Sequence, residues 1–79
     1  MNLADAAADV LATSPGPLDA KEIAKRAIER GLISPRSEAP WTYVRAAIRK
    51  DNRRREERGE LPRFAVADKG RFQLVTEVR

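Results

Sequence analysis

The placement of proline and glycine constrains this chain more than any other feature, because it divides 79 residues into short segments. A Ser-Pro-Gly-Pro run at residues 14–17 stops the first segment, since its two prolines lack an amide donor and its glycine permits a tight reversal. Gly31 ends a second segment, and Gly59 with Pro62 ends a third. A chain of this length can bury one core, so we expect one domain over residues 1–79.

The first two segments have helical periodicity. In residues 3–11 apolar side chains recur at spacings of three and four, and Asn2 can cap a helix there. After the proline break, Leu18 predicts a single short extended segment. Asp19 and Glu22 then form a capping-box-like start to a second helix. The buried face of that helix is apolar at four positions: Ile23, Ala24, Ala27 and Ile28.

A third helix is predicted to begin at Pro40, whose missing amide would be unpaired there in any case. Its apolar stripe comprises Trp41, Val44, Ala47 and Ile48. No large apolar residue follows until Leu61, although residues 51–58 are competent helix formers. Two acid–base pairs have helical spacing there: Asp51 with Arg55, and Arg53 with Glu57. We therefore expect the helix to extend beyond the core.

Two β-rich runs, at residues 64–67 and 71–75, flank an Asp-Lys-Gly sequence that predicts a hairpin. The expected fold class is α+β, mostly α, with the element order of a winged helix-turn-helix: helices two and three form the motif, and the hairpin forms the wing. Twelve apolar residues are expected to form one contiguous core: Leu11, Leu18, Ile23, Ala27, Ile28, Leu32, Trp41, Val44, Ile48, Phe64, Phe72 and Leu74.

Residue content argues against catalysis. The chain has no cysteine and no histidine, which removes thiolate metal sites and the commonest general base. It also has no glycine-rich phosphate loop and no nuclease pattern, and its serines have no base to activate them. We expect no enzymatic activity, no cofactor and no metal. Because residues 1–12 lack a basic region and a long apolar run, we expect a cytoplasmic location, or the nucleoid in a bacterium.

One segment accounts for the net charge of +4: residues 41–58 carry seven basic side chains against three acidic ones. At about 100° per residue, Thr42 and three arginines project on or near the face opposite Val44 and Ile48. The arginines are Arg45, Arg49 and Arg53. Arginines there can chelate guanine edges or straddle phosphates, and Thr42 can contact a phosphate or a thymine methyl. Lys50 and Arg54 lie toward the flank and suit phosphate contacts.

In the hairpin, Lys69 and Arg71 flank Gly70 at the tip, where cations can reach the DNA backbone or an adjacent groove. Three basic residues of helix two are weaker candidates, since that helix usually only crosses the backbone: Lys21, Lys25 and Arg26. The structural alternative for all these side chains is a solvated charged face, with Gly70 serving turn geometry alone.

Four parts of the chain resemble the HARE-type winged helix family, found in chromatin regulators, attached to bacterial restriction enzymes and at the start of the RNA polymerase delta subunit. Pro-Leu-Asp-Ala-Lys-Glu-Ile at residues 17–23 is similar to its signature, with aspartate where threonine is more usual. Arg-Gly-Leu-Ile at 30–33 is similar to its second-helix ending, and Pro40 to its third-helix start. Phe64 with Lys-Gly-Arg-Phe-Gln-Leu at 69–74 is similar to its closing hairpin.

The resemblance departs from the family between Asn52 and Pro62, where the family usually has a shorter link; we call this segment the arginine-rich extension. What the resemblance implies is a non-catalytic module that binds or senses double-stranded DNA, modified DNA included. In this family such contact is proposed to be coupled to an attached or partner restriction, modification or transcription activity.

Two other functions compete with DNA binding. A protein adaptor would dock to a polymerase or nuclease subunit through helix one and the arginine-rich extension. RNA binding is disfavoured, because the four aromatic residues are expected in the core and leave no stacking platform: Trp41, Tyr43, Phe64 and Phe72. In particular, Trp41 occupies an apolar position of the inner helix face and is interpreted as a core residue.

Overall fold

Three α-helices and a two-stranded hairpin follow one another along the chain. The structure, a computed structural model, describes residues 2–34 and 39–75. The helices are α1 (Leu3–Ala12), α2 (Ala20–Glu29) and α3 (Pro40–Glu57), and the strands are β1 (Phe64–Val66) and β2 (Phe72–Leu74). The strands pair antiparallel, with Ala65 opposite Gln73. The predicted winged helix-turn-helix architecture is confirmed, and α3 extends beyond the core as expected.

Side-chain caps begin the first two helices at the predicted residues. The Asp5 N–H donates to Asn2 Oδ1 at 2.7 Å, and the Glu22 N–H donates to Asp19 Oδ1 at 2.8 Å. The reciprocal half of the predicted capping box is replaced by an ion pair, because the Glu22 carboxylate accepts from Arg26 Nε at 2.8 Å. A carboxylate gains more from a cation one turn away than from a neutral amide.

Gly31 and Gly59 end α2 and α3 in the left-handed conformation, with φ of +72° and +78°. In each case the amide after the glycine donates to the carbonyl five residues earlier, at 2.9 Å after Gly31 and 2.7 Å after Gly59. This is the Schellman arrangement, which satisfies helix-terminal carbonyls and favours glycine because a Cβ is strained at positive φ. Both predicted helix ends are confirmed.

The core lies where the three helices and the hairpin meet. Seven of the twelve predicted core residues are buried: Leu11, Ile23, Ala27, Val44, Ile48, Phe64 and Phe72. Leu18, Leu32, Trp41 and Leu74 are half-buried against them. Ile28 is only half-buried and lines a surface groove beside Trp41, so its placement in the core is wrong.

Small side chains complete the core at positions omitted from that prediction. Besides Val10, these are the alanines Ala4, Ala6, Ala7, Ala20 and Ala24. Alanine allows helix backbones to approach closely, and close-packed interiors leave few voids at such contacts.

Leu18 joins the segment before α2 to the hairpin. Its N–H donates to the Phe72 carbonyl at 3.0 Å, and the Phe72 N–H donates to the Leu18 carbonyl at 2.7 Å. The predicted extended residue is therefore an antiparallel bridge beside β2. Because Asp19 follows immediately and caps α2, this bridge holds the hairpin next to the start of α2. Across the described ranges, no helix has the length and apolar character needed to cross a membrane.

Candidate nucleic-acid interface

The exposed surface of α3 carries five cations whose side chains make no hydrogen bond or ion pair with the residues that the structure describes. They are Arg45, Arg49, Lys50, Arg53 and Arg54. All five were predicted as interface residues. An unpaired guanidinium or ammonium group in water can bind a phosphate or a base edge without first losing an intramolecular partner.

Helix geometry divides four of these cations between two surfaces, and Arg54 lies on the flank. At about 100° per residue, four residues of the first part of α3, residues 40–53, point most directly away from Val44 and Ile48. They are Thr42, Ala46, Lys50 and Arg53, and we call them the outer face. Arg45 and Arg49 instead lie on the side of α3 that faces the hairpin. Arg45 was predicted on or near the face opposite the buried stripe, but at about 100° from Val44 it lies on the flank of α3 beside the hairpin.

Ala46 lies at the centre of the outer face and is exposed. It was not predicted as an interface residue, although the same angular argument identifies it. A methyl side chain lets a helix approach the floor of a groove closely and can contact a thymine methyl.

Thr42 precedes Ala46 by one turn. Its hydroxyl donates to the Ala39 carbonyl at 2.8 Å. With that hydrogen engaged, the exposed methyl group is what Thr42 offers a ligand, which favours the predicted thymine contact over the predicted phosphate contact.

The hairpin, residues 64–74, presents one free cation at its tip. Lys69 has φ of +60° and Gly70 has φ of +72°, and the Arg71 N–H donates to the Asp68 carbonyl at 3.2 Å. Two successive residues at positive φ are typical of a type I′ hairpin turn. Lys69 is exposed and has no side-chain partner in the described part of the chain. Arg71 is half-buried, and its Nη2 donates to Asp68 Oδ1 at 2.8 Å.

A cleft separates α3 from the hairpin, with a volume of about 380 Å³. Its lining includes five polar or charged residues: Asp19, Lys21, Arg45, Arg49 and Lys69. Its apolar walls come from Trp41, Val66 and Phe72. The cleft therefore brings together two predicted arginines and the predicted wing lysine from parts of the chain that are distant in sequence.

Lys21 and Trp41 belong to this cleft although neither was predicted there. The Lys21 Nζ lies 5.1 Å from the centre of the Trp41 ring, within cation–π distance. Trp41 is half-buried against the core, which confirms a packing role only in part. Tyr43 is 55% exposed, so the expectation that all four aromatics fill the core is wrong. No local sequence signal indicates the Lys21–Trp41 contact, since it depends on how α2 crosses α3.

Part of the arginine-rich extension folds back on the protein instead of offering free charge. Asp51 accepts two hydrogen bonds from Arg63, at 3.1 and 3.0 Å, and lies 3.4 Å from Arg55 Nε. The Arg63 Nη2 also donates to Asp5 Oδ1 at 3.1 Å. The predicted Asp51–Arg55 pair is confirmed, but Arg53 and Glu57 form no ion pair among the described residues. We call Asp5, Asp51, Arg55 and Arg63 the Asp51 cluster.

Asn52 and Glu60 extend this bracing. The Asn52 side chain donates to the Phe64 carbonyl at 2.9 Å and accepts from the Phe64 N–H at 3.3 Å, which holds β1 to α3. Glu60 accepts from Arg58 Nε and Nη2, both at 3.1 Å. The hydrogen bonds from Arg63 lower the pKa of Asp51, and those from Arg58 lower the pKa of Glu60. Arg55 and Arg58 are therefore neutralised, whereas Arg53 and Arg54 are free.

Three helices followed by a hairpin, with free cations on the third helix and the hairpin tip, define a winged helix-turn-helix protein. This class is of the DNA-binding type and is generally non-catalytic. The chain belongs to the HARE-HTH family, whose description names the helix-turn-helix domain of ASXL and restriction endonuclease proteins and whose model matches residues 1–76. The resemblance inferred from the sequence is confirmed. Comparisons with curated proteins and with solved structures found no match.

Proposed function

We propose that this chain binds double-stranded DNA with α3 in the major groove and the hairpin on the backbone or the adjacent groove. One observation carries the proposal: some arginines have no carboxylate partner among the described residues, whereas others are neutralised by carboxylates. Arg45, Arg49, Arg53 and Arg54 are free, and Lys69 faces the first two across the cleft. Arg55, Arg58 and Arg63, on other surfaces, are held by carboxylates.

The positions of these residues suggest different roles. Arg49, which borders the outer face, is placed with Thr42 and Ala46 to approach base edges when that face enters a major groove, and Arg53 continues the face toward the backbone. The cleft is placed to straddle the sugar–phosphate strand that separates the two grooves, so Arg45 and Lys69 would contact its phosphates from opposite sides.

The remaining predicted residues belong to the periphery of this interface. Lys50, at the edge of the outer face, and Arg54 would contact the backbone beyond the cleft. Arg71 contributes less than Lys69 in this proposal, because Asp68 already neutralises it. We further propose, from the family resemblance, that the chain brings an attached or partner restriction, modification or transcription activity to DNA, modified DNA included.

The adaptor function is a second candidate, since a different surface supports it. An apolar groove lies between α1 and the arginine-rich extension, on the surface named in that hypothesis. Its lining includes Ala8, Ala12, Leu61, Leu74 and Val75. Leu61 is 67% exposed, and an exposed leucine beside other apolar side chains is typical of protein contacts.

A salt titration of binding to random duplex DNA tests the proposal. Each phosphate contact contributes about −0.9 to the slope of log affinity against log salt, whatever the sequence. We expect a steep slope for the natural chain and a shallower one for Arg53→Gln. The matched control is Arg58→Gln, which removes an equally exposed but neutralised arginine and should leave the slope unchanged. Absence of binding at low salt would reject DNA binding and favour the adaptor function.

A further inference from the structure

The cleft between α3 and the hairpin has an aromatic wall that the proposed phosphate contacts do not use. The Trp41 ring is half-buried and lines the cleft beside Val66, which is 69% exposed. Phe72, which is 4% exposed, also lines the cleft. A site for phosphate alone needs cations and amide groups, whereas Trp41 and Val66 offer apolar contact surface, and the Trp41 ring is planar.

One face of the Trp41 ring is accessible to polar groups. The Lys21 ammonium lies 5.1 Å from the ring centre, and Lys21 itself is exposed. A surface cation–π contact of this kind is weak, and a base stacked on a tryptophan is a stronger interaction. A planar ligand could therefore take the place of the ammonium group over the ring.

The charge around the cleft suits an anion. Four cations and one carboxylate line it: Lys21, Arg45, Arg49, Lys69 and Asp19. The carboxylate is already engaged, because Asp19 Oδ1 accepts the Glu22 N–H at 2.8 Å. The cleft therefore offers an apolar wall to a planar group and cations to a phosphate. A nucleotide carries both groups.

We propose that this cleft holds one unpaired nucleotide of a DNA strand at the border of a duplex, with its base stacked on Trp41. Its phosphate would lie between Arg45 and Lys69, and Lys21 would leave the ring for the same phosphate. The volume of about 380 Å³ is large enough for one base with its sugar. The inference rests on the proposed duplex binding, since α3 must dock on the adjoining base pairs. It predicts preference for duplexes with an overhang or a gap over blunt ones.

Three labelled duplexes of one sequence test this inference: one blunt, one with a single-nucleotide 3′ overhang and one with a 5′ overhang. The unpaired nucleotide is 2-aminopurine, whose emission falls on stacking. We expect one overhang to bind about tenfold more tightly than the blunt duplex, with quenched 2-aminopurine. Trp41, the single tryptophan of the chain, should change emission at the same DNA concentration. If free dAMP changed Trp41 emission equally at that concentration, the assignment to a strand end would be overturned.

Two variants separate the cleft from the duplex interface. Trp41→Phe should keep most of the overhang preference, and Trp41→Leu should lose it while keeping blunt-duplex affinity. Tyr43→Leu is the matched control, because Tyr43 is an exposed aromatic residue that does not line the cleft. Circular dichroism checks that each variant folds. The 2-aminopurine measurement on the natural chain tests the nucleotide site without relying on any variant.

The outcomes for the two proposals are distinguishable. Blunt and overhanging duplexes that bind equally, with unquenched 2-aminopurine, would overturn the nucleotide site and leave duplex binding intact. Overhangs that bind with quenching while blunt duplexes do not bind would support the nucleotide site and show that the duplex contacts of α3 are too weak to hold DNA without it. If none of the three duplexes bound, both the nucleotide site and duplex binding would be overturned.

Discussion

At the scale of single residues, arginines of one short segment differ in what they can bind. Arg58 donates two hydrogen bonds to Glu60, and any DNA phosphate must compete with that carboxylate. Arg49, nine residues earlier, has no carboxylate partner among the described residues. An arginine that must first break a charge-assisted pair with a carboxylate gains less free energy from a new phosphate contact than a free arginine does. These arginines are therefore not equivalent, although they are close in sequence.

Arg49→Ala should reduce selectivity as well as affinity for DNA. A specific arginine contact to guanine discriminates against other bases by about 1–3 kcal/mol, whereas a phosphate contact mainly lowers the salt slope by about one unit. The measurement compares preferred and scrambled duplexes across a salt series, with circular dichroism to confirm folding. Equal loss on both duplexes would identify Arg49 as a backbone contact. No loss on either duplex would show that this face of α3 is a solvated charged surface that does not contact DNA.

Substitution of Lys69 should weaken binding to all duplexes alike. Lys69→Asn is the suitable change, because asparagine tolerates positive φ and so removes the charge without adding backbone strain. The expected salt slope is shallower by about one unit. Arg71→Gln should have a smaller effect, since Asp68 already binds that guanidinium. If the double variant that combines Lys69→Asn with Arg71→Gln bound DNA as the natural chain does at low salt, the hairpin would have a structural role only.

At the scale of elements, the position of the hairpin depends on contacts made by α3 beyond the core. The Asp51 cluster links α1, α3 and the residue before β1, and Asn52 binds the backbone of Phe64. On its other side the hairpin is held by the bridge to Leu18. The extra length of α3 therefore braces the hairpin against the helix that would enter the groove.

Asp51→Asn should destabilise the fold by about 1–2 kcal/mol, because it replaces charge-assisted hydrogen bonds to a half-buried arginine. Urea unfolding measures this free energy, and amide exchange in residues 64–74 reports the hairpin directly. Asp9→Asn is the control, since Asp9 is exposed on α1 and its carboxylate has no partner among the described residues; it should change stability by less than about 0.5 kcal/mol. Equal effects of the two substitutions would show that the cluster contributes no stability.

The same cluster should make stability fall in acid. The hydrogen bonds from Arg63 lower the pKa of Asp51 below its ordinary value of 3.8. Since the folded-state pKa is the lower one, the stabilisation is fully present above the unfolded value and is lost as the pH falls through the folded value. The stability difference between the natural chain and Asp51→Asn should therefore be constant near neutrality and shrink below about pH 4. Thermal unfolding over a pH series measures it, and a constant difference throughout would contradict the assignment.

At the scale of the whole molecule, alanine serves two purposes in different places. Ala27 is 1% exposed where α2 packs in the core, and Ala46 is exposed at the centre of the outer face. Close packing leaves no room beside Ala27, whereas solvent surrounds Ala46.

The same substitution should therefore have opposite consequences at these two positions. Ala27→Leu should cost about 1–3 kcal/mol of folding free energy through overpacking. Ala46→Leu should leave stability within about 0.5 kcal/mol but weaken duplex binding by keeping α3 away from the groove floor. Thermal unfolding and duplex affinity, measured on both variants, provide the comparison. Unchanged duplex affinity for Ala46→Leu would show that the outer face does not enter a groove.

Much of the fold could be predicted because its signals are local. Asn2 and Asp19 bond to amides three residues away, Gly31 and Gly59 close the turns that end their helices, and the Asp-Lys-Gly turn joins adjacent strands. Apolar periodicity likewise placed Val44 and Ile48 in the core. Ile28 was misplaced because periodicity does not tell how much of a helix side its neighbours cover. Tyr43 was misplaced because aromatic character alone does not tell which face of a helix a ring occupies.

The candidate interface was predictable only as a set of cations and not as a surface. The sequence by itself determined the element order, the helix ends and the concentration of positive charge in α3, since each depends on residues within a few positions of one another. Only the tertiary structure decided which cations are free. Arg63 meets Asp5 from 58 residues away, and Lys21 reaches Trp41 through the crossing of α2 and α3. Electrostatic pairing depends on distance in space, and that distance is set when the helices pack.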